Sequence, residues 1–320
     1  MPGKLFERTL VIRGGALGDF LLTLPALRAL RDASAHLEIL AYPEFVQLAC
    51  QRELVHAGKS IEYGPLAGFF ARGTAQDPAL RSHFASFDLV LSYLYDPDGI
   101  FAENLRNAGA RHLVAGPHRP AGRTHAMEEL CTPLGKLGID LPDLAVQLGR
   151  PHAAGVRDFL IAIHPGSGSL VKNWAAANWQ GLADKLLVAD GQIRIAVIGG
   201  EADRGALQAL AALRQNDRVE FWEHLPLTAL AGKLETVGCY IGHDTGVSHL
   251  AAVLGVPSLL LFGPTDPAVW APPHAHVRTL RAAEGDLSAL GLPAVFAAAE
   301  KHLLPRLLAS AAGTQHNPPR

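Results

Sequence analysis

Sulfur is scarce in this chain. Of 320 residues, three are cysteine (Cys50, Cys131 and Cys239) and two are methionine. Three cysteines so widely spaced build neither a disulfide framework nor a zinc site, and fit reduced thiols filling a core. Net charge is almost absent: 28 Lys and Arg against 30 Asp and Glu leave −2, which excludes a broad positive field for nucleic acid. Long apolar runs are missing too. The longest, "HLAAVLGVPSLLLFG" at 249–263, holds a proline and is too short to span a bilayer. The N-terminus has no signal-peptide cleavage pattern, so the expectation is a cytoplasmic protein.

What is present is a rich core composition, 49% hydrophobic and 18% charged, in a chain long enough for two domains of about 150 residues each. Short apolar runs alternate with stretches of helical period. "TLVIR", "LEILAY", "FDLVLSY" and "RHLVAG" read as strands, with helices near 20–31, 99–108 and 124–137. From 140 to 157 Pro, Gly and polar residues break both periods, which marks a linker. The alternation restarts with "LIAIH", "IRIAVIGG", "VEFW", "GCYIG" and "PSLLLFG", with helices near 175–189, 203–214, 227–235 and 246–254. The pattern predicts an α/β protein with two parallel sheets, one in 1–145 and one in 146–320, facing each other across a cleft at the carboxyl ends of their strands. A last helix near 293–310 is a candidate to pack back on the first domain, and the tail "GTQHNPPR" is expected to fray.

Three strand-to-helix turns carry chemistry. "LVIRGGALGDFLLTLPALRALR", residues 10–31, puts the carboxylate of Asp19 in a glycine-rich turn. Such turns usually cradle a phosphate, which a fixed negative charge would repel, so Asp19 is either a helix cap or a catalytic acid or base. "PGSGSLVKNW", residues 165–174, has the parts of an anion cradle: flexible backbone, two hydroxyls and the mobile cation Lys172. In "YIGHDTGVSHLAAVLG", Thr245 and Gly246 sit where a helix begins and its unpaired N–H groups point, unless Asp244 or Thr245 is only a cap. "YLYDPDG" places Asp96 and Asp98 after a strand, in the spacing of a metal-binding DxD and equally of an ordinary turn around Pro97 and Gly99. Cys239, His243 and His249 have no tetrahedral partner set for zinc.

Taken together, "IRGGALGDFLLTLPALRALR", "IHPGSGSLVKNW" and "YIGHDTGVSHLAAVLGVPSLLLFGPTDP" resemble three characteristic stretches of the ADP-heptose lipopolysaccharide heptosyltransferases of glycosyltransferase family 9, in that family's order; "LRNAGARHLVAG" and "THAMEELCTPLGKLGI" are weaker echoes. The resemblance implies two Rossmann-like domains of GT-B type, residues 1–145 for the acceptor and 146–320 for the donor. It implies an inverting, metal-independent enzyme without a cofactor. The donor would be an ADP-heptose-like nucleotide sugar and the acceptor a lipopolysaccharide core or other glycan, reached by peripheral contact with the inner face of the cytoplasmic membrane.

By the same resemblance Asp19 is the base that deprotonates the acceptor hydroxyl, with Gly14, Gly15 and Gly18 letting acceptor and acid approach the backbone. Lys172 with Ser167, Ser169, Thr245 and Gly246 would hold the diphosphate, with the register among Ser167, Gly168 and Ser169 open by one residue. Glu201 matches the acid for the ribose hydroxyls, Leu225 a backbone contact to adenine, and Asp244 and His249 the donor sugar and phosphate. An anionic acceptor calls for first-domain cations, chiefly Arg119 and Arg123, with Arg13, Arg106, Arg111 and His118 as further candidates. A sugar-nucleotide epimerase on the same architecture, a transferase for a different nucleotide sugar, and a noncatalytic binding protein are the alternatives.

Overall fold

The computed structural model describes residues 4–149 and 157–305. The chain divides into two compact units, Met1–Val146 and Gln147–Arg320. Part of the expected linker, residues 150–156, and the tail "GTQHNPPR" lie outside the described residues. Among the described residues no helix is long and apolar enough to cross a membrane.

In the first unit the strands are β1 (Phe6–Ile12), β2 (Ser34–Ala41), β3 (Ala57–Ser60), β4 (Leu89–Ser92) and β5 (Leu113–Ala115). They form one sheet in the order β3-β2-β1-β4-β5. Every pairing is parallel. The helices are α1 (Leu17–Leu22), α2 (Leu24–Ala33), α3 (Pro43–Gln51), α4 (Pro78–Ala85), α5 (Ile100–Asn107) and α6 (Ala126–Gly135). A parallel sheet needs cover on both faces, and the central strands are accordingly buried and apolar: Leu10, Val11 and Ile12 of β1 and Leu89, Val90 and Leu91 of β4 are almost fully enclosed.

The second unit carries β6 (Arg157–His164), β7 (Arg194–Gly199), β8 (Val219–Glu223), β9 (Val237–His243), β10 (Ser258–Phe262) and β11 (Val277–Arg281). Their order is β11-β10-β9-β6-β7-β8. These pairings are also parallel. Its helices are α7 (Ala176–Ala189), α8 (Arg204–Ala209), α9 (Leu227–Leu234), α10 (Gly246–Val253), α11 (Pro267–Trp270) and α12 (Leu292–His302). The described part of the C-terminal helix, α12, packs on α7, β10 and β11 of its own unit.

Several local expectations change. The helix read over 20–31 is two helices meeting at Thr23. Pro25 has no N–H to offer the Leu21 carbonyl, and at the junction the Thr23 hydroxyl donates to the Asp19 carbonyl at 2.8 Å. The helix read over 203–214 gives way after α8 to a 3-10 turn, Ala211–Gln215. Leu207, Leu210 and Leu213 are all buried. Their spacing of three matches the three-residue turn of a 3-10 helix better than 3.6. The edge strands β3 ("AGKS") and β11 ("VRTLR") and the helices α3, α4 and α11 were not legible in the period. The thiols also divide: Cys131 and Cys239 are buried, but Cys50 is exposed, in the last turn of α3, and does not fill the core. Burial pushes the Cys131 thiol up to about 12.

Candidate active site

In the first unit, Arg13 follows the end of β1 and the chain turns through Gly14 and Gly15 into α1. Gly15 has φ +93°, and a Cβ there would lie 2.5 Å from Asp19 Oδ2, so only glycine leaves room for the acid. Asp19 is the third residue of α1, after Ala16 as N-cap. Its Oδ2 accepts the Ala16 N–H at 2.9 Å, the backward half of a capping box. The acid therefore does cap the helix, from inside it, while its side chain stays 30% exposed. It lines a cavity of about 810 Å³ together with Gly14, Gly15, Tyr95, His118 and Arg119. Gly18, also half-buried, lies within α1 beside it.

Arg13 is not the free cation the sequence suggested. It is 1% exposed. Nε and Nη2 donate to the Asp19 carbonyl at 3.0 and 2.9 Å, and Nη1 donates to the His118 carbonyl at 3.0 Å. Burial lowers its pKa from the ordinary arginine value, with the nearby Asp19 carboxylate, Oδ1 at 3.6 Å from Nη2, opposing that shift. One guanidinium thus ties the acid's helix to the loop carrying Arg119.

That loop is held from its far side as well. Glu129, in the first turn of α6, accepts backbone N–H groups of Ala121, Arg123 and Thr124. Burial alone would raise the Glu129 carboxyl, but these hydrogen bonds outweigh it and hold the pKa below the usual range. Arg119 and Arg123 remain exposed, and Arg119 faces the cavity. Arg111 lies 3.6 Å from Asp88 and Arg106 lines a second cavity. In the "DPD" stretch, Asp96 caps α5: its Oδ1 accepts from Phe101 N–H at 3.2 Å and its Oδ2 from Ala102 N–H at 2.9 Å.

In the second unit β6 and β9 end beside each other, and the loops that follow are stitched by histidines. His243 is fully buried. Its Nε2 accepts the Trp174 N–H at 2.9 Å, which leaves Nδ1 to carry the proton toward the Gly166 carbonyl at 3.3 Å. Desolvation, with the nearby His164 adding to it, lowers its pKa to about 4, so the ring is neutral at pH 7. Ser248 Oγ donates to the His243 carbonyl and Tyr240 hydroxyl lies 3.0 Å from the same Oγ. Thr245 is the N-cap of α10, accepting from Ser248 N–H, and Gly246 is the first helical residue. His249 is buried on the same helix.

Lys172 reaches across these loops, with Nζ 2.8 Å from Asp244 Oδ2, which also accepts the Thr265 hydroxyl at 2.8 Å. Ser167 is buried and its hydroxyl donates to the Ser169 carbonyl at 2.6 Å, closing a tight turn around exposed Gly168. Glu201 is exposed at the end of β7, and Leu225 is half-buried in the loop after β8, following His224 with φ 50°. The sequence reading singled out neither Asp203 nor His164, and weighed His243 only as a zinc ligand. Asp203 is buried, 3.2 Å from His164 Nε2, and accepts Gly200 N–H at 2.8 Å. Burial would raise its carboxyl, but the hydrogen bond and charge of His164 hold it low. A Cβ on Gly166 would fall 1.9 Å from Asp203 Oδ1, so this glycine admits the acid. The signal was available: His164 and His243 are polar residues ending apolar strands. Among the described residues no group of three His, Cys, Asp or Glu is placed to hold a metal ion.

Two Rossmann-like units, each a parallel sheet with its polar turns after the strands, make this an α/β protein with the GT-B fold. The family model of glycosyltransferase family 9 (heptosyltransferase) matches residues 127–293, and the chain belongs to that family. It is 30% identical over 293 residues to lipopolysaccharide heptosyltransferase 3 of Escherichia coli (strain K12), covering 80% of this chain and 82% of that protein. It is 34% identical over 138 residues to lipopolysaccharide heptosyltransferase 1 of Pseudomonas aeruginosa, a match spanning 42% of this chain and 35% of that one. The solved Escherichia coli heptosyltransferase WaaC with ADP shares the fold at a TM-score of 0.70, 23% identity, and coverage of 92% of this chain and 99% of that one.

Two outcomes follow from this geometry. Replacing Arg13 with Lys removes the fork from two buried carbonyls and should lower unfolding free energy by about 3 kcal/mol, whereas Arg119→Lys should stay within about 0.5 kcal/mol. Urea melts of both variants check this. For His243, a folded pKa of about 4 against about 6.5 unfolded means the unfolded chain binds the extra proton. Its contribution is complete above pH 6.5 and is lost as pH falls from about 6.5 to 4, on the order of 3 kcal/mol in total. Melting temperature should drop across that window, and His243→Gln should show a shallower drop.

Proposed function

We propose that this chain moves a heptose or a related sugar from an ADP-sugar to a hydroxyl of a lipopolysaccharide core or similar glycan, inverting the anomeric centre without a metal. The observation that carries the reading is the Asp19 carboxylate: capped on one oxygen by Ala16 N–H, it stands in the wall of a cavity of about 810 Å³, ample for a sugar acceptor. As the acceptor oxygen attacks the anomeric carbon from the face opposite the diphosphate, its proton passes to Asp19. On the donor side, negative charge grows on the departing ADP. Lys172, the Ser167–Ser169 turn and the start of α10 at Thr245 and Gly246 are the donors for it, with Lys172 exchanging Asp244 for phosphate. Glu201 takes the ribose hydroxyls, the backbone at Leu225 the adenine, and Asp244 and His249 the donor sugar and phosphate. Gly14, Gly15 and Gly18 give the acceptor access, and Arg119 and Arg123 meet its negative charge.

Residues 1–145 serve the acceptor and 146–320 the donor. The metal-free reading is supported by Asp96, whose two oxygens are already engaged by the backbone of α5. Both curated relatives are named as lipopolysaccharide enzymes, which supports that acceptor class. An acceptor anchored in lipid implies a cytoplasmic enzyme in peripheral contact with the inner membrane surface.

The direct test is thermal shift with ADP-, UDP- and dTDP-sugars, since a ligand that binds only the native state raises its melting temperature. ADP-sugars should stabilise most; a preference for UDP overturns the donor assignment. With labelled donor and a heptose-deficient lipopolysaccharide, Asp19→Asn should keep melting temperature and ADP affinity, because Asn can still accept the Ala16 N–H. Its transfer rate should fall by about 10²- to 10⁴-fold. Lys172→Ala should slow transfer about a hundredfold or more while folding normally. An Asp19→Asn enzyme retaining more than about a tenth of the rate returns the acid to a capping role only.

A further inference from the structure

Aromatic side chains normally supply buried area, yet three rings around the Asp19 cavity face outward: Tyr42 is 38% exposed, Phe70 46% and Tyr95 70%. None is loosely placed. Each is backed by a second ring: Phe70 stacks on Phe101 at 4.6 Å and 16°, Tyr42 meets the edge of Phe45 at 5.8 Å, and Tyr95 leans on His118 at 4.7 Å. Phe45 is itself stacked on buried Phe20 at 5.1 Å. The surrounding surface is concave and carries Asp19, Glu62 and Arg119, so a flat apolar partner would strand charges that a polyhydroxylated ligand can pair.

Tyr95 has a special place among the three. A second cavity, of about 410 Å³, shares Leu94, Tyr95 and His118 with the first and is also lined by Arg106. Tyr95, 70% exposed, therefore lines both cavities. Pyranose rings present a face of C–H groups bordered by hydroxyls, and a rigid aromatic ring covers that face while leaving the hydroxyls at its margin for hydrogen bonds.

We propose that Tyr95 is an acceptor-recognition residue: its ring, backed by His118, stacks on the second sugar of a glycan whose first sugar lies over Phe70 and Tyr42 beside Asp19. The enzyme then selects an acceptor of at least two sugars, with the second one entering the adjoining cavity. This rests on the glycan-acceptor reading above and adds to it the length of acceptor that is recognised and the residue that measures it.

The probes are the deacylated saccharide of a heptose-deficient lipopolysaccharide and its terminal monosaccharide alone, with binding measured by calorimetry and transfer measured separately with labelled ADP-heptose. Tyr95→Ala should weaken saccharide binding and raise its KM about tenfold, with kcat, melting temperature and ADP affinity within about twofold of wild type. Tyr95→Phe should behave as wild type, because the ring and not the hydroxyl makes the contact. The monosaccharide should bind both Tyr95→Ala and wild type equally. Equal saccharide binding by Tyr95→Ala and wild type overturns the proposal, as does a loss in Tyr95→Phe as large as in Tyr95→Ala, or an equal loss on both ligands. If the saccharide binds and Tyr95→Ala loses it while ADP-heptose gives no transfer, the stacking proposal stands and the heptosyltransferase reading falls; transfer with an indifferent Tyr95→Ala means the reverse.

Discussion

A parallel sheet with helices on both faces has dry sides, and its polar chemistry is confined to the edge where the strands end. At that edge the chain must turn sharply, and each turn leaves carbonyls and N–H groups that need partners away from water. In the first unit Arg13, between the end of β1 and the glycines, answers this need. Its guanidinium binds the carbonyls of Asp19 and His118 at once, so the helix that presents the acid and the loop that presents Arg119 share one anchor. The second unit meets the same constraint with a neutral imidazole. His243 accepts from Trp174 and faces Gly166, joining both ends of the serine-rich loop to the end of β9.

The two solutions suit their surroundings. Arginine stays charged when buried and offers only donors, which matches two carbonyls beside a carboxylate. A histidine held neutral offers one donor and one acceptor, and a loop whose two ends present a carbonyl and an N–H needs that pair. It also adds no fixed positive charge beside Lys172. The mobile cation there is Lys172, held by Asp244 and Thr265. A lysine with a carboxylate partner already in place is restrained without being buried.

Much of this was legible in one dimension because it is written in local rules. Alternation of short apolar runs with helical period yields two parallel sheets, and a carboxylate in a glycine turn stands out because it contradicts the anion-binding use of such turns. What escaped were features decided by neighbours far along the chain. "AGKS" becomes β3 only because β2 offers an edge, with Ala57 to Ser60 in register with Glu38 to Ala41. Asp203 looks like a loop charge near Glu201 until His164, 39 residues earlier, is brought to 3.2 Å. Arg13 reads as a cation for an anionic ligand until the loop at His118 covers it.

The sequence by itself determined the class of fold and the positions of the polar strand-to-helix turns, because strand and helix periods, glycine conformational freedom and capping act over a few residues. Only the tertiary structure decided which polar groups face the cavity and which hold the backbone together. Exposure and hydrogen-bond partnership depend on what packs from elsewhere: Arg13 and Arg119 are the same residue type on loops of the same unit. One is enclosed by carbonyls and the other is open to the cavity, and only the paths of α1 and of the loop before α6 separate them.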